Sequence, residues 1–324
     1  MQLLLQVLVN GILTGGILAV VALGFSLVWG IMNIINLAHG SFIMLGAYLS
    51  YVLFTAFHVD PFVCVPIAFV AMFAFGYAVQ KYVINFVVRA PILTTFLLTF
   101  GLSLLLVNVA LLLFHGDSKA VNPSYSGANF ALGPVTVAWT KLWTLVVALA
   151  ITGVMQVWLT RSRLGRAIRA TAMDIGAAQL SGVRVAHVYA IVFGLGAGLA
   201  GAAGVLVGLN QSLNPTMGDA YIIKAFVVCV LGGLGSVQGA LVGGLVFGVI
   251  EALGSQYIGT GVPDAVALVV LSRADRPADG HYGQGDGLAD DAEKSRSRRH
   301  HRQSARARDR RRRARRDARH SVAA

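Results

Sequence analysis

Residues whose types could support chemistry are scattered through this chain rather than clustered. The sequence contains no H-E-x-x-H, no G-x-S-x-G and no phosphate-binding P-loop, and no His, Cys and Asp residues share metal-ligand spacing. Cys64 and Cys229 each stand alone in an apolar stretch, which is typical of small buried side chains. We therefore expect no catalytic residue, no metal site and no cofactor, and the chain is not expected to be an enzyme.

The strongest constellation of polar residues is the basic stretch from 161 to 183. An apolar stripe and a polar side alternate there at helical spacing: Ile168, Ala172 and Ile175 against Arg166 and Arg169. Gly182 suits the end of such a helix. A short amphipathic helix of this kind fits a groove on a soluble partner, and it fits equally a helix that lies on lipid headgroups.

A second group of polar residues lies in or next to long apolar runs. Asn33, Asn36 and His39 follow the first run, at the expected mouth of a helix pair, and Lys224 and Glu251 are charges within later runs. Lone polar residues at such places are commonly structural hydrogen-bonders, and long charged side chains near helix ends commonly reach toward water. The functional alternative is that they line a path for a polar solute, because charges inside a membrane default to a functional role.

These residues must be positioned by elements made almost wholly of apolar side chains. The chain has 324 residues, of which 56% are hydrophobic and 12% charged, and its mean hydropathy is +0.71. Residues 1–271 carry only ten basic and six acidic side chains. A soluble protein of that size needs far more polar surface, so the solvent of this region is lipid.

A membrane-spanning helix needs about 20 apolar residues. Runs of that kind occupy residues 3–29, 37–57, 61–80, 92–114, 139–159, 186–209 and 237–257, with shorter runs at 220–231 and 262–271. The expected fold class is all-α, a polytopic transmembrane helix bundle of about eight or nine spans. Gly232-Gly-Leu-Gly-Ser236 separates the last two well-formed runs, which predicts either a glycine-broken helix pair or a tight loop.

Basic residues in short loops set the expected orientation. Lys81 and Arg89 flank one loop, and five arginines crowd the stretch from 161 to 184. Both loops should face the cytoplasm, whereas the loops at 58–60, 115–138 and 210–219 should face outward. This alternation places the N-terminus outside. Small residues spaced four apart in the run at 186–209 predict close packing of helix backbones.

Three patterns occur in a fixed order along the chain. The first is Asn33-Ile-Ile-Asn36-Leu-Ala-His39-Gly40 with its continuation to Tyr48, and the second is Gly165-Arg-Ala-Ile-Arg-Ala170 with Asp174, Ala178 and Gly182. The third is Lys224-Ala-Phe with Leu231-Gly-Gly-Leu-Gly-Ser236 and its continuation to Glu251. Together they resemble the permeases of branched-chain amino-acid ABC importers, in particular their H-type membrane subunit. The similarity covers about residues 1–271.

The resemblance implies a function, partners and site residues. The chain would be the permease of an ABC importer in a bacterial inner membrane and would translocate branched-chain amino acids. Its expected partners are a second homologous permease, two ABC ATPases, a periplasmic solute-binding protein and the lipid bilayer, with no nucleic acid. The expected ATPase-coupling loop, called here the coupling segment (161–183), contains Gly165, Arg166, Arg169, Ala170, Asp174, Ala178 and Gly182. The expected translocation path contains Asn33, Asn36, His39, Gly40, Lys224, Gly232, Gly233, Gly235 and Ser236.

Two other functions stay open at this point. Urea and short-amide permeases are close relatives of this family, so the motifs leave that substrate class as an alternative. An ion-coupled secondary transporter would need acidic or histidine proton relays in mid-membrane, and the spans before residue 210 carry none that is clearly buried. One departure from the family pattern is Gln238, which stands where we expect proline.

The last stretch, residues 272–324, differs in composition from the rest. It has 15 arginines, a net charge of +8 and no Ile, Phe, Trp or Met, so we expect it to be disordered. The apolar run before it, 262–271, would be about 15 Å long as a helix, half of a bilayer core. One interpretation is a basic tail that touches anionic lipid or nucleic acid. The other is a frameshift in GC-rich coding DNA, which the position of the switch inside a helix favours.

Overall fold

The computed structural model describes residues 2–87, 91–133, 135–257 and 259 of the chain. The described residues form mainly α-helices, with one 3-10 turn at Ile84–Phe86 and one β-hairpin. The helices are α1 (Gln2–Met32), α2 (Ala38–Phe57), α3 (Pro61–Tyr82), α4 (Ile92–Phe114), α5 (Trp139–Arg161), α6 (Arg163–Met173), α7 (Ile175–Leu180), α8 (Val185–Gly208), α9 (Met217–Gly232) and α10 (Val237–Tyr257). The apolar run at 262–271 and the basic stretch at 272–324 lie outside the described residues.

Seven of the described helices are long and apolar enough to cross a membrane, namely α1, α2, α3, α4, α5, α8 and α10. The all-α bundle is therefore confirmed, while the sequence predicted eight or nine spans. The difference has two sources. Helix α9 has 16 residues and a length of about 24 Å, shorter than a bilayer core. The other expected span, at 262–271, is not among the described residues.

Helices α1 and α8 form the centre of the bundle. The most apolar stretch of α8 is wholly buried and that of α1 is 89% buried, whereas that of α4 is only 22% buried. Glycines bring α8 close to its neighbours: a Cβ at Gly194 or Gly198 would meet Phe73 or Phe69 of α3, and one at Gly204 would overlap the backbone of α2. Close packing through small residues is what lipid-embedded helices use in place of the hydrophobic effect.

Helix α10 packs antiparallel along the first half of α1. Gly11 contacts Gly248 and Val249, and Gly15 contacts Gly244 and Leu245, so residue numbers rise on one helix as they fall on the other. The glycines leave no room for side chains between the two backbones. The antiparallel pairing of α1 and α10 shows which helix ends lie together at each end of the bundle. We call the end that carries α6 and α7 the coupling end, and the opposite end, where α5 begins, the hairpin end.

The hairpin end is covered by ordered structure that the sequence reading treated as a loop. Strands β1 (Asn129–Leu132) and β2 (Val135–Ala138) pair antiparallel. The side chain of Gln6 donates to and accepts from the backbone of Thr136, each at 2.8 Å, which holds the hairpin on α1. Tyr125 donates to Asp60 at 2.9 Å, and burial together with this carboxylate raises the pKa of Tyr125, so the phenol stays a donor.

The entry into α2 departs from the simple loop that periodicity indicates. Nε2 of His39 lies 3.0 Å from the carbonyl oxygen of Val21, and Val21 lies 11 residues, or about 16 Å, before the end of α1. The non-helical segment 33–37 therefore runs back along α1, and α2 begins well inside the bundle. Asn33 starts this reversal with a positive φ of 51°. Thr99 of α4 satisfies two backbone groups of the segment, the carbonyl of Ile35 and the amide of Leu37.

Candidate functional site

The coupling segment folds as two short helices that share one polar boundary residue. Ser162 caps α6 by accepting from the amide of Gly165 at 2.8 Å, and Asp174 caps α7 by accepting from the amide of Ala177 at 3.0 Å. Serine and aspartate are preferred caps because their side chains satisfy amides that the helix leaves free. The predicted amphipathic helix is thus broken at Asp174, and the break turns the segment back toward α8.

The start of α6 is held against the end of α5. A Cβ at Gly165 would overlap the backbone of Leu159, so only glycine permits this approach. The guanidinium of Arg169 donates to the carbonyls of Leu159 and Thr160, and Arg166 donates to the carbonyl of Arg161. Cations at the C-terminus of a helix satisfy its last carbonyls and its dipole. These contacts make α6 an extension of α5, so a force applied to α6 reaches the bundle.

The rest of the coupling segment has equally defined backbone roles. Gly182 has a φ of +82°, which favours glycine, and the amide of Val183 closes the turn on the carbonyl of Ala178. Ala178 is 2% exposed and faces the bundle. Ala170 is exposed and its carbonyl accepts from the amide of Asp174 at 3.1 Å. Each residue predicted for the coupling segment therefore helps to hold its shape or forms its surface.

Three large apolar side chains near the two ends of α7 are exposed. Leu180 is 92% exposed, Met173 is 89% exposed and Ile175 is 46% exposed. We call this surface the docking face. The helices of the docking face are too short to span a membrane, and large exposed apolar side chains grouped in one segment are typical of an interaction site.

A cavity of about 360 Å³ separates the coupling segment from the glycine-rich turn. Ile168 and Arg169 of α6 line one side, and Gly235 and Ser236 line the other, together with Gly30 near the end of α1. We call it the inner cavity. The structure thus brings together at the coupling end two groups of predicted residues that are more than 60 positions apart in the sequence.

The glycine-rich turn joins α9 to α10 at a point where the backbones of the two helices lie very close together. Gly232 and Gly239 approach so closely that a Cβ on either would overlap the backbone of the other. Gly233 and Gly235 have φ values of 89° and 80°, which bulky residues rarely adopt. The amide of Gly235 donates to the hydroxyl of Ser26 at 2.9 Å, and Ser236 caps α10 by accepting from the amide of Gly239 at 3.0 Å.

Of the polar residues predicted near the start of α2, Asn36 and His39 lie inside the bundle, whereas Asn33 is exposed. His39 is fully buried, with Nε2 on the carbonyl of Val21, and its Nδ1 meets no partner among the described residues. Asn36 is 2% exposed and accepts from the amide of Ala38 at 3.1 Å. Gly40 packs directly on Gly218 of α9. These residues connect α2 to α1 and α9, deeper than the helix-pair mouth expected from the sequence.

Two of the charges within the late helices, Lys224 and Glu251, form an ion pair. Nζ of Lys224 in α9 lies 2.6 Å from Oε1 of Glu251 in α10, and the two side chains are 18% and 19% exposed. Lys141 in the first turn of α5 lines a small pocket together with Lys224 and Glu251. Lys141 was not among the residues predicted from the sequence. The signal was available, since Lys141 is a basic residue at the beginning of an apolar run. Ser26, which holds the glycine-rich turn, carried no comparable signal in its apolar surroundings.

The described residues contain no group of three His, Cys, Asp or Glu side chains that could hold a metal ion. The arrangement can act mechanically, through a helix fastened to the bundle, and electrostatically, through its charged groups. One end of the bundle presents an apolar docking face on a rigidly attached helix, and the other end holds an ion pair beside a polar pocket.

Comparison of the sequence with known proteins matches it to transport permeases. Residues 7–272 match the family described as branched-chain amino acid transport system / permease component. The high-affinity branched-chain amino acid transport system permease protein BraD of Pseudomonas aeruginosa is 34% identical over 281 residues, which cover 82% of this chain and 91% of that protein. The corresponding LivH protein of Escherichia coli K12 is 33% identical over 285 residues, with the same coverage.

A more distant relative is the probable branched-chain amino acid transport permease protein LivH of Methanocaldococcus jannaschii, 29% identical over 260 residues, which cover 78% of this chain and 82% of that protein. No solved structure matches the chain. The family match overlaps every helix that the structure describes and ends at residue 272, where the arginine-rich stretch begins. The chain is a multi-span membrane transport protein, and it belongs to the family of permease components of branched-chain amino acid transport systems.

Proposed function

We propose that this chain is the permease subunit of an ABC importer that translocates branched-chain amino acids across a bacterial inner membrane. The observation that carries the proposal is the docking face on a helix pair fastened to the end of α5. A permease that has no nucleotide site of its own needs such a surface to receive movement from an ATPase. The partners are two ATPases at the coupling end, a second homologous permease and a solute-binding protein at the hairpin end.

The positive-inside pattern supports this orientation. Arg161, Arg163, Arg166, Arg169 and Arg184 surround the coupling segment. Basic residues in short loops favour the cytoplasmic side, where the ATPases bind nucleotide. In this orientation α9 is an eighth, shortened span, because α8 ends at the hairpin end and α10 begins at the coupling end. Gly232–Ser236 is then the break between two helices that cross at unequal depth.

The two irregular segments border the solute path in our proposal. Segment 33–37 and turn 233–236 are non-helical backbone within or beside the bundle, which lipid does not tolerate unless protein or a water-filled cavity covers it. Discontinuous helices of this kind commonly flank transporter binding sites. Asn33, Asn36, His39 and Gly40 set the depth at which α2 starts. Gly235 and Ser236 line the inner cavity, and Gly232 and Gly233 lie just before them in the chain.

The inner cavity supplies room for α6 to move toward the glycine-rich turn. Arg169 fastens α6 to α5, and Ser26 fastens the turn to α1, so the cavity lies between two anchored bodies. We propose that ATP-driven movement of α6 changes the volume of this cavity and shifts the start of α10.

The test is uptake by the complete complex in proteoliposomes, with ATP in the lumen and binding protein outside. We expect uptake of labelled leucine only with ATP, with competition by isoleucine and valine and none by urea. A proton or sodium gradient without ATP should give no uptake. Uptake by this chain alone under a gradient would overturn the proposal in favour of a secondary transporter, and competition by urea would favour the short-amide alternative.

A further inference from the structure

A polar pocket lies at the hairpin end, between α1, α5, α8, α9 and α10. Its cavity of about 90 Å³ has room for several water molecules, since one water needs about 10–15 Å³. Lys141, Lys224 and Glu251 contribute charges to its lining, and Thr14, Asn210 and Gln211 contribute neutral polar groups. We call it the outer pocket. In a bundle this apolar, three charged side chains around one small pocket are an unusual concentration.

The charges of the outer pocket are only partly used within the protein. Oε1 of Glu251 accepts from Lys224, while Oε2 of Glu251 is buried and has no hydrogen-bond partner among the described residues. Lys141 forms no ion pair with any residue that the structure describes. The outer pocket therefore offers one carboxylate oxygen without a donor and one ammonium without an acid partner. Buried polar groups that lack partners are costly, so such groups commonly await a ligand or water.

The neutral groups of the outer pocket are held in place by one another. Tyr221 donates to Oε1 of Gln211 at 3.1 Å, and Lys224 lies 5.6 Å from the centre of the Tyr221 ring. Asn210 donates to the hydroxyl of Thr144 at 3.2 Å and to the carbonyl of Leu206 at 2.9 Å. These contacts fix the positions of the neutral side chains that surround the charged groups. A preorganised site loses less conformational entropy when it binds a ligand.

The outer pocket lies far from the ATPase side of the proposed complex. Lys141 is in the first turn of α5, and Asn210 and Gln211 directly follow α8. Both positions are at the hairpin end, opposite α6 and α7. A solute released by a binding protein at that end would therefore reach the outer pocket before it reaches the inner cavity.

We propose that the outer pocket binds the charged end of a free amino acid. Glu251 accepts the hydrogen bonds of the α-ammonium group, and Lys141 and Lys224 hold the α-carboxylate. The apolar side chain of the amino acid takes no part in these charged contacts. The proposal rests on the proposed function, and it adds the reason that a zwitterion is accepted while a neutral amide or sugar is not.

The test measures equilibrium binding of labelled leucine to the complete complex in nanodiscs without binding protein. Leucinamide, which lacks the carboxylate, and 4-methylpentanoate, which lacks the ammonium, serve as competitors. We expect each competitor to bind at least roughly tenfold more weakly than unlabelled leucine, because each loses hydrogen bonds to charged groups. Equal competition by all three, or no leucine binding by the wild-type complex, would overturn the proposal.

A matched pair of double variants separates recognition from structure. Lys224→Met with Glu251→Gln removes the buried pair, and Lys119→Met with Asp117→Asn removes the ion pair at 3.7 Å in the loop before the hairpin with the same change of charge. Replacing a buried ion pair as a unit is often tolerated by the fold. We expect leucine binding to weaken roughly tenfold in the first variant and to stay unchanged in the second.

The remaining outcomes are distinguishable. An assembled Lys224→Met/Glu251→Gln complex that binds leucine as the wild type does would show that the pair is structural only. Should that variant fail to assemble, Lys141→Met removes a charge that forms no ion pair with described residues, and unchanged leucine binding there would overturn the proposal. ATP-driven leucine import by the wild-type complex is measured in parallel. Its absence would refute the proposed function, whereas its presence with unchanged binding in the variants refutes only the outer pocket.

Discussion

Backbone conformation at single residues decides the shape of the coupling segment. Gly182 closes α7 with a φ of +82°, and nothing lies within 4 Å of the position where a Cβ would stand. A Cβ there would not collide with any neighbour, so the main effect of a substitution would come from backbone strain. For an L-residue the left-handed region costs about 1–2 kcal/mol, and a β-branched residue rarely adopts it.

We predict that Gly182→Val uncouples ATP hydrolysis from leucine uptake. The strained turn shifts the end of α7 and with it Leu180 of the docking face, while membrane insertion stays normal. Gly182→Asn should recover most of the uptake, because asparagine tolerates a positive φ. Gly153→Ala in α5 is the control, since a Cβ there also meets nothing within 4 Å and the position is helical. Equal uptake per ATP in the Val and Asn variants would contradict this prediction.

At the scale of single residues, the sequence identified the glycines and charges but not their contacts. Gly165, Asp174 and Gly182 were predicted as parts of one loop, and each has a backbone role there. The pairing of Lys224 with Glu251 could not be derived, because the two residues lie 27 positions apart on different helices. Local spacing predicts which face of a helix a residue is on, whereas the partner across that face depends on how the helices pack.

The protein contains two kinds of helix. Some helices pack against each other through glycines, and others are held in place by capping side chains. The coupling segment is of the second kind, and its docking face is exposed enough to be changed without touching the core. We predict that Leu180→Glu and Met173→Glu each abolish co-purification of the ATPases. An unpaired carboxylate buried at an interface is strongly unfavourable.

The control for the docking face is Ser124→Glu, which adds the same charge to an exposed residue in the loop before the hairpin. That variant should co-purify with the ATPases as the wild type does. All three variants should be inserted in the membrane to the same extent, because the changed side chains are exposed. Normal ATPase recovery with Leu180→Glu would show that the docking face is not the contact surface.

Helix packing gives a second prediction at the scale of elements. A Cβ at Gly204 of α8 would overlap the backbone of Ile43 in α2, so Gly204→Ala forces two central helices apart. We expect a loss of about 1–3 kcal/mol in stability, the usual cost of overpacking. Gly101→Ala in α4 is the matched control, because a Cβ there meets nothing within 4 Å. Thermal unfolding in detergent measures both, and an unchanged melting temperature for Gly204→Ala would refute the packing argument.

Element boundaries were predictable where apolar length alone decides them. The run at 237–257 coincides with α10, and the run at 92–114 coincides with α4. The reversal at 33–37 and the hairpin at 129–138 were not predicted. Both depend on distant partners, Val21 and Thr99 for the first and Gln6 for the second. Periodicity carries no information about contacts of that range.

For the whole molecule, function follows from the separation of two ends by a packed bundle. In our proposal the docking face receives movement at the coupling end, and the charges of the outer pocket lie at the hairpin end. Helices α1 and α8 connect the two ends through a buried core, and α10 runs from the glycine-rich turn at one end to Glu251 near the other. A shift of α10 that begins at the turn would therefore reach the proposed ammonium ligand directly.

The last prediction concerns residues 272–324. The family match ends at residue 272, where this stretch begins. We predict that a chain ending at residue 271 supports the same ATP-driven leucine uptake as the full chain, because the stretch adds charge and no element of the transport machinery. Its net charge of +8 should add affinity for vesicles that contain anionic lipid, and the truncated chain should lose that affinity. Loss of uptake on truncation, with normal membrane insertion, would instead assign the stretch a part in transport.

The coding DNA gives an independent check of the origin of this stretch. If a shift of one or two bases near codon 272 opens an apolar continuation of about ten residues, completing a helix of about 20, the stretch is a frame error. If neither alternative frame does so, the stretch is a genuine basic appendage.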